Sequence, residues 1–108
     1  MPVLQGRQRI NQPISGLLNN VGAKVRITLK FDLEEIWIAS PTRTQKLSFA
    51  QIASVSSRPL RPHPGYLLVV LPTQYLHLSE HQVLKLFFFP AHFYSHFLEV
   101  IKGVFAFP

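Results

Sequence analysis

At 108 residues, with 47% apolar residues and nine phenylalanines, the chain has material for one hydrophobic core and too little length for two ordinary domains. It contains no cysteine, which removes disulfides, thiolate nucleophiles and sulfur-ligated zinc. Eleven lysines and arginines against five acids give a net charge of +6, a balance that favours acidic partners without choosing among nucleic acid, an anionic membrane face and an acidic protein.

Residues 1–22 read as an irregular lead-in, broken by glycines, prolines and the Asn19-Asn20 pair, with at most a short strand through Val3–Ile10. From Lys24 the pattern alternates, with Val25, Ile27, Leu29 and Phe31 on one face and Lys24, Arg26, Thr28 and Lys30 on the other. Asp32 and Leu33 connect tightly to a second strand over Glu35–Ser40, which carries Ile36, Trp37 and Ile38. Ser40-Pro41-Thr42-Arg43 is a turn, because proline fixes its backbone and denies the ladder a donor. Thr44–Phe49 alternates again, setting Gln45, Leu47 and Phe49 opposite Thr44, Lys46 and Ser48.

Gln51–Ser57 is read as a short strand on the strength of Ile52, Val55 and its serines. Arg58–Gly65 holds three prolines and a glycine and is read as a loop with no regular structure. Tyr66–Leu71, Tyr75–Ser79 and Val83–Phe89 supply three more strands, the last with Leu84, Leu86 and Phe88 opposed to Lys85, Phe87 and Phe89. Counted from Lys24, seven strands are expected. The period then changes: Phe93, Phe97, Val100, Ile101 and Val104 make one stripe on a helix over Ala91–Val104, with Pro90 at its start and Gly103 as its stop.

Seven short strands and one C-terminal amphipathic helix over Lys24 to about Val104 resemble the pleckstrin-homology-like (PH-like) superfamily. The early hairpin Lys24–Ile38, followed by Gln45-Lys46-Leu47-Ser48-Phe49 and Ile52-Ala53-Ser54-Val55, is similar to its divergent GRAM and ubiquitin-receptor-like branch. The resemblance implies a mainly β fold, an open seven-stranded barrel of two near-orthogonal antiparallel sheets with the helix plugging one end. The local pattern alone also fits another small barrel or an α+β domain. The domain is placed at residues 23–104, with 105–108 an apolar tail or the remnant of a domain boundary.

Catalytic and metal chemistry find little support. His92 and His96 stand four apart on the helix but lack a convincing third ligand, and both are assigned to its solvated or half-buried edge. Ser79, Glu80 and His81 are neighbours on a strand, so they point to alternating faces and do not form a triad. No glycine-rich phosphate loop is present. The chain is therefore read as non-enzymatic and without a cofactor.

Three binding classes remain. Phe87 and Phe89, beside Phe88, offer more aromatic surface than a small barrel interior needs, and with Phe105, Phe107 and Trp37 they are the candidate protein-binding residues. Lys24, Arg26, Lys30, Arg43 and Lys46 form a candidate basic face. In lipid-binding relatives such residues surround the first hairpin loop, expected here at Asp32-Leu33-Glu34-Glu35, and its acidity argues against inositol-phosphate recognition. The leading expectation is a PH-like protein-interaction module acting as a scaffold or adaptor in a complex. Anionic lipid and nucleic acid are the alternatives. The apolar runs Tyr66–Pro72 and Leu86–Ala91 fall far below the roughly 20 residues of a membrane-spanning helix, no secretory leader is read at the start, and the cytosol or nucleus is the expected compartment.

Overall fold

The computed structural model describes residues 9–73 and 83–103. Among them seven strands, β1 (Ile14–Leu18), β2 (Lys24–Lys30), β3 (Glu35–Ala39), β4 (Thr44–Ser48), β5 (Ser56–Pro59), β6 (Tyr66–Pro72) and β7 (Val83–Pro90), precede one helix, α1 (Tyr94–Lys102). Every neighbouring pair is antiparallel, in the order β4-β3-β2-β1-β7-β6-β5. Among the described residues no strand pairs with the outer edge of β4 or of β5, and the sheet curls into a half-barrel, with α1 following the last strand. The mainly β, PH-like expectation holds.

The inner face follows from alternation. Val25, Ile27 and Leu29 of β2, Ile36 and Ile38 of β3, Leu47 of β4 and Val69 and Leu71 of β6 all turn inward and are buried. Phe31 does not join them. Strand β2 ends at Lys30, and Phe31 opens the turn to β3, where it is 49% exposed. That turn spends its backbone bonds locally, Leu33 N–H to Lys30 C=O and Glu34 N–H to Phe31 C=O.

The largest departure from expectation is β1. Residues 14–18, expected in an irregular lead-in, form the central strand, flanked by β2 and β7. Strict alternation fails there because β1 is bulged: Ile14 partners Ile27, but Leu17 partners Val25, so Ser15 and Gly16 together face Arg26. Ile14 and Leu17 therefore both point inward despite being three apart. Gly16 takes φ 85°, a left-handed conformation that glycine adopts without a Cβ penalty.

Strand β7 carries a second bulge, and it reverses the expected facing of the phenylalanines. Val69 partners Leu86 while Leu67 partners Phe89, so Phe87 and Phe88 share the space opposite Leu68. Phe88 sits at φ 66°, which costs a non-glycine residue about 1–2 kcal/mol. Beyond the bulge the inward position passes to Phe89, which is fully buried against Phe97, with ring centroids 5.0 Å apart, and Tyr94 at 6.4 Å. Enclosing a phenylalanine in this way stabilises the fold by roughly 1.5–3 kcal/mol.

The remaining differences are local. Gln51–Ser57 is not one strand: residues Phe49–Gln51 form a turn of 3-10 helix, Ile52 makes a single bridge to Thr73, and β5 begins at Ser56. Arg58 and Pro59, expected in a loop, end that strand, where its position at the sheet's edge tolerates proline. A 3-10 turn over Ala91–Phe93 precedes α1, which buries Phe97 and Ile101 and stops at Gly103, φ 68°, whose N–H bonds the Glu99 carbonyl at 2.8 Å. Lys102 Nζ donates to the Ile52 carbonyl at 2.9 Å and ties the helix to the sheet. The expected strand Tyr75–Ser79, Val104 and most of the segment Val3–Ile10 lie outside the described residues.

Candidate functional site

Because the bulge in β7 sends Phe89 inward, Phe87 and Phe88 are left on the other side of the sheet, both half-buried. Their neighbours on that outer face are also apolar. Leu18 partners Phe87 from β1. Leu68 and Val70 lie on the face of β6 opposite the buried Val69, and Tyr66, 44% exposed, packs edge-on to Phe88 at 6.0 Å. His63 closes the cluster from the β5–β6 connection, its ring 5.1 Å from Phe88. Cations edge this strip: Arg58 partners Leu68, Lys85 partners Val70 and Lys24 partners Leu18. An apolar strip on the outside of a sheet, rimmed by charge, has the anatomy of a docking surface rather than of a second core.

Of the residues singled out for protein binding, Phe87 therefore faces outward, whereas Phe89 does not. Its assignment is corrected, because a ring with no exposed area in the core cannot meet a partner. Phe105 and Phe107 lie outside the described residues. Trp37 is on the outer face of β3, separated from Phe87 by β2 and β1. Lys46 and Lys30 extend over its indole, with Nζ 4.2 and 4.6 Å from the ring centre. The indole N–H donates to Glu35 Oε1 at 2.9 Å.

The basic face divides. Lys24, Arg26, Lys30 and Lys46 belong to the outer face, but Arg43, in the β3–β4 turn, lines a cleft of about 260 Å³ at one end of the half-barrel. Arg43 and Lys85 are the basic residues among its lining, with Asn19, Asn20 and Gln45 as polar walls and Val25 and Ile38 among the apolar lining. Asn20 closes one side: its side-chain N–H₂ donates to the Val83 carbonyl at 3.2 Å, and its Oδ1 accepts the Lys85 N–H at 2.9 Å. Since β1 is the first described strand, the first hairpin loop is residues 19–23, Asn-Asn-Val-Gly-Ala, and not the acidic Asp32–Glu35. The acidic Asp32–Glu35 turn closes the second described hairpin, between β2 and β3, so its charge does not bear on the first.

The helix histidines do not share one environment. His96, expected at a solvated or half-buried edge, is 6% exposed, and its Nδ1 accepts the Ile10 N–H at 2.8 Å. Burial pushes its pKa below 6.5, Arg9 adds to that effect and Glu99 opposes it. His92 is only half-buried. Among the described residues no group of three His, Cys, Asp or Glu side chains is placed to hold a metal ion. Sequence reasoning missed Leu18, Leu68 and Val70 as surface residues, since nothing in an apolar strand says which of its faces lacks a cover.

A family model described as the C-terminal PH-like domain in UBFD1 matches residues 2–103. Two similar proteins, from Homo sapiens and Mus musculus, both named ubiquitin domain-containing protein UBFD1, are each 38% identical over 68 residues, 61% of this chain. The chain spans 22% of the length of the human relative and 18% of the mouse one.

Proposed function

Because the chain belongs to the family of C-terminal PH-like domains found in UBFD1, we propose that it is a non-enzymatic protein-interaction module and that Phe87 is the centre of its docking surface. The observation that carries this reading is the bulge in β7. It keeps Phe88 on the outer face with Phe87, beside Leu18, Leu68 and Val70, at the expense of a left-handed Phe88. Burial of Phe89 beyond the bulge offsets the strain at Phe88, and the same bulge leaves two adjacent rings preformed on the outer face. The rim of Lys24, Arg58 and Lys85 selects a partner whose complementary patch is edged by carboxylates, and it accelerates the encounter.

The relatives are named as ubiquitin domain-containing proteins. In a longer protein of that kind, a second docking module would couple a ubiquitin domain to another protein, which is the work of an adaptor. The reducing cytoplasm or nucleus suits a chain without cysteine. Affinity capture with the wild-type chain and with Phe87→Asp tests the proposal. A saturable protein partner is expected with the first and lost with the second, and equal recovery by both would remove Phe87 from the interface.

A second reading, binding of an anionic lipid headgroup, is favoured by one observation: Arg43 and Lys85 line a cleft to which no described carboxylate contributes. Vesicles containing a phosphoinositide would then retain the chain at physiological salt, and Arg43→Ala would release it. Retention that disappears as salt rises, or that survives Arg43→Ala, would reduce this reading to bulk charge attraction.

A further inference from the structure

The two ends of the open sheet are not equivalent. Strand β5 has four residues and closes on Pro59, which blunts it as a template for another strand. Strand β4 has five residues, contains no proline and pairs on one side with β3, while no described strand takes its other edge; Gln51 Oε1 already accepts the Ser48 N–H at 2.9 Å, so Thr44 and Lys46 carry the exposed edge. Such an edge presents backbone donors and acceptors to any extended segment that approaches it.

What stands on the outer face beside that edge is specific. Lys46, from β4 itself, and Lys30, from β2, both reach the single Trp37 ring between them, with their ammonium groups 4.2 and 4.6 Å from its centre. Glu35, the cross-strand partner of Lys30, is instead engaged by the Trp37 indole N–H. Neither lysine is paired with a described carboxylate. Thr44 and Ser48 lie on the same face of β4 as Lys46, one alternation to each side.

We propose that an extended acidic segment of a second protein adds to the outer edge of β4 at Thr44 and Lys46, with alternate carboxylates on the outer face, one of them opposite Lys46, and the intervening apolar side chains on the inner face. Strand pairing supplies contacts that do not depend on sequence, and the lysine-bearing indole reads the acidic side chains that fall on the outer face. Lys24 and Arg26, further along that face, extend the positive field that draws the segment in. The inference rests on the chain being a protein-interaction module but uses a surface separated from Phe87 by β2 and β1, so either can fail without the other.

Trp37 is the only tryptophan, so its emission reports on the site directly. The probe is a capped peptide alternating glutamate and valine, titrated into the whole chain while the amide resonances of β4 are followed by NMR. Saturable change is expected at Trp37 and in the β4 amides. Affinity should fall roughly tenfold or more in Lys30→Gln/Lys46→Gln, and similarly for the isosteric peptide of glutamine and valine. Phe87→Asp should bind the probe as the wild type does, and circular dichroism checks that each variant is folded. No response at Trp37 up to millimolar peptide overturns the proposal. Equal binding of the glutamine peptide does the same, as do resonance changes confined to the Arg43–Lys85 cleft. A single-stranded oligonucleotide or an anionic vesicle that perturbs Trp37 more strongly than the peptide would also overturn it.

Discussion

The backbone N–H of Ile10 donates to Nδ1 of His96 at 2.8 Å, joining the chain just ahead of β1 to the terminal helix across 86 positions of sequence. The acceptor must be an unprotonated nitrogen, so the ring is neutral with its proton on Nε2. The fold lowers the His96 pKa below 6.5, which means that the unfolded chain binds the proton more readily. The stability contributed by the neutral ring is therefore complete above about pH 6.5 and is lost as the pH falls through the lowered folded value. Urea unfolding between pH 7.5 and 5 should show this loss, together with faster amide exchange at Ile10. His96→Ala should lower stability at neutral pH by about 1–3 kcal/mol, since it strands a buried N–H, and should flatten the pH dependence. An unchanged pH profile in that variant would assign the loss to other groups.

The bulge in β1 depends on Gly16 at φ 85°, and nothing lies within 4 Å of the position a Cβ would occupy. Any penalty for a side chain there is conformational and not steric crowding. Gly16→Ala should cost about 1–2 kcal/mol, whereas Ser15→Ala, its exposed neighbour in the same bulge, should stay within about 0.5 kcal/mol. Chemical denaturation measures both, and equal effects would contradict the left-handed geometry.

The inside and outside assignments in β7 make opposite predictions for two adjacent aromatic positions. Phe89→Ala empties core space beside Phe97 and should cost about 3–5 kcal/mol. Phe87→Ala removes a half-buried ring from the outer face and should cost only about 1 kcal/mol. A reversal of that order in thermal or urea unfolding would mean that the chain follows strict alternation after all.

Sequence patterning made β2, β3, β4 and the helix legible because each keeps one period from end to end. Val25-Arg26-Ile27-Thr28-Leu29 cannot place its apolar residues together in any way but as a strand, and the stripe containing Phe97, Val100 and Ile101 needs a helix. It failed at β1 and β7, the two strands that join the halves of the sheet, and for one reason. A bulge inserts a residue into the count, so Ile14 and Leu17 look aperiodic while Phe87 and Phe89 look equivalent. The same miscount misplaced the first hairpin and with it the electrostatic argument about its loop. Trp37 was legible as an outward residue, but its two lysines come from different strands, and only the register of β2, β3 and β4 brings them together.

The most direct test of the docking surface at Phe87 is carbene footprinting of the chain with and without the partner recovered by affinity capture. Partner binding should lower labelling at Phe87, Phe88, Leu68 and Val70, and Phe87→Asp should abolish both the capture and that protection while the melting curve stays cooperative. Undiminished labelling at these residues in a saturated complex, or protection confined to other surfaces, would contradict the account.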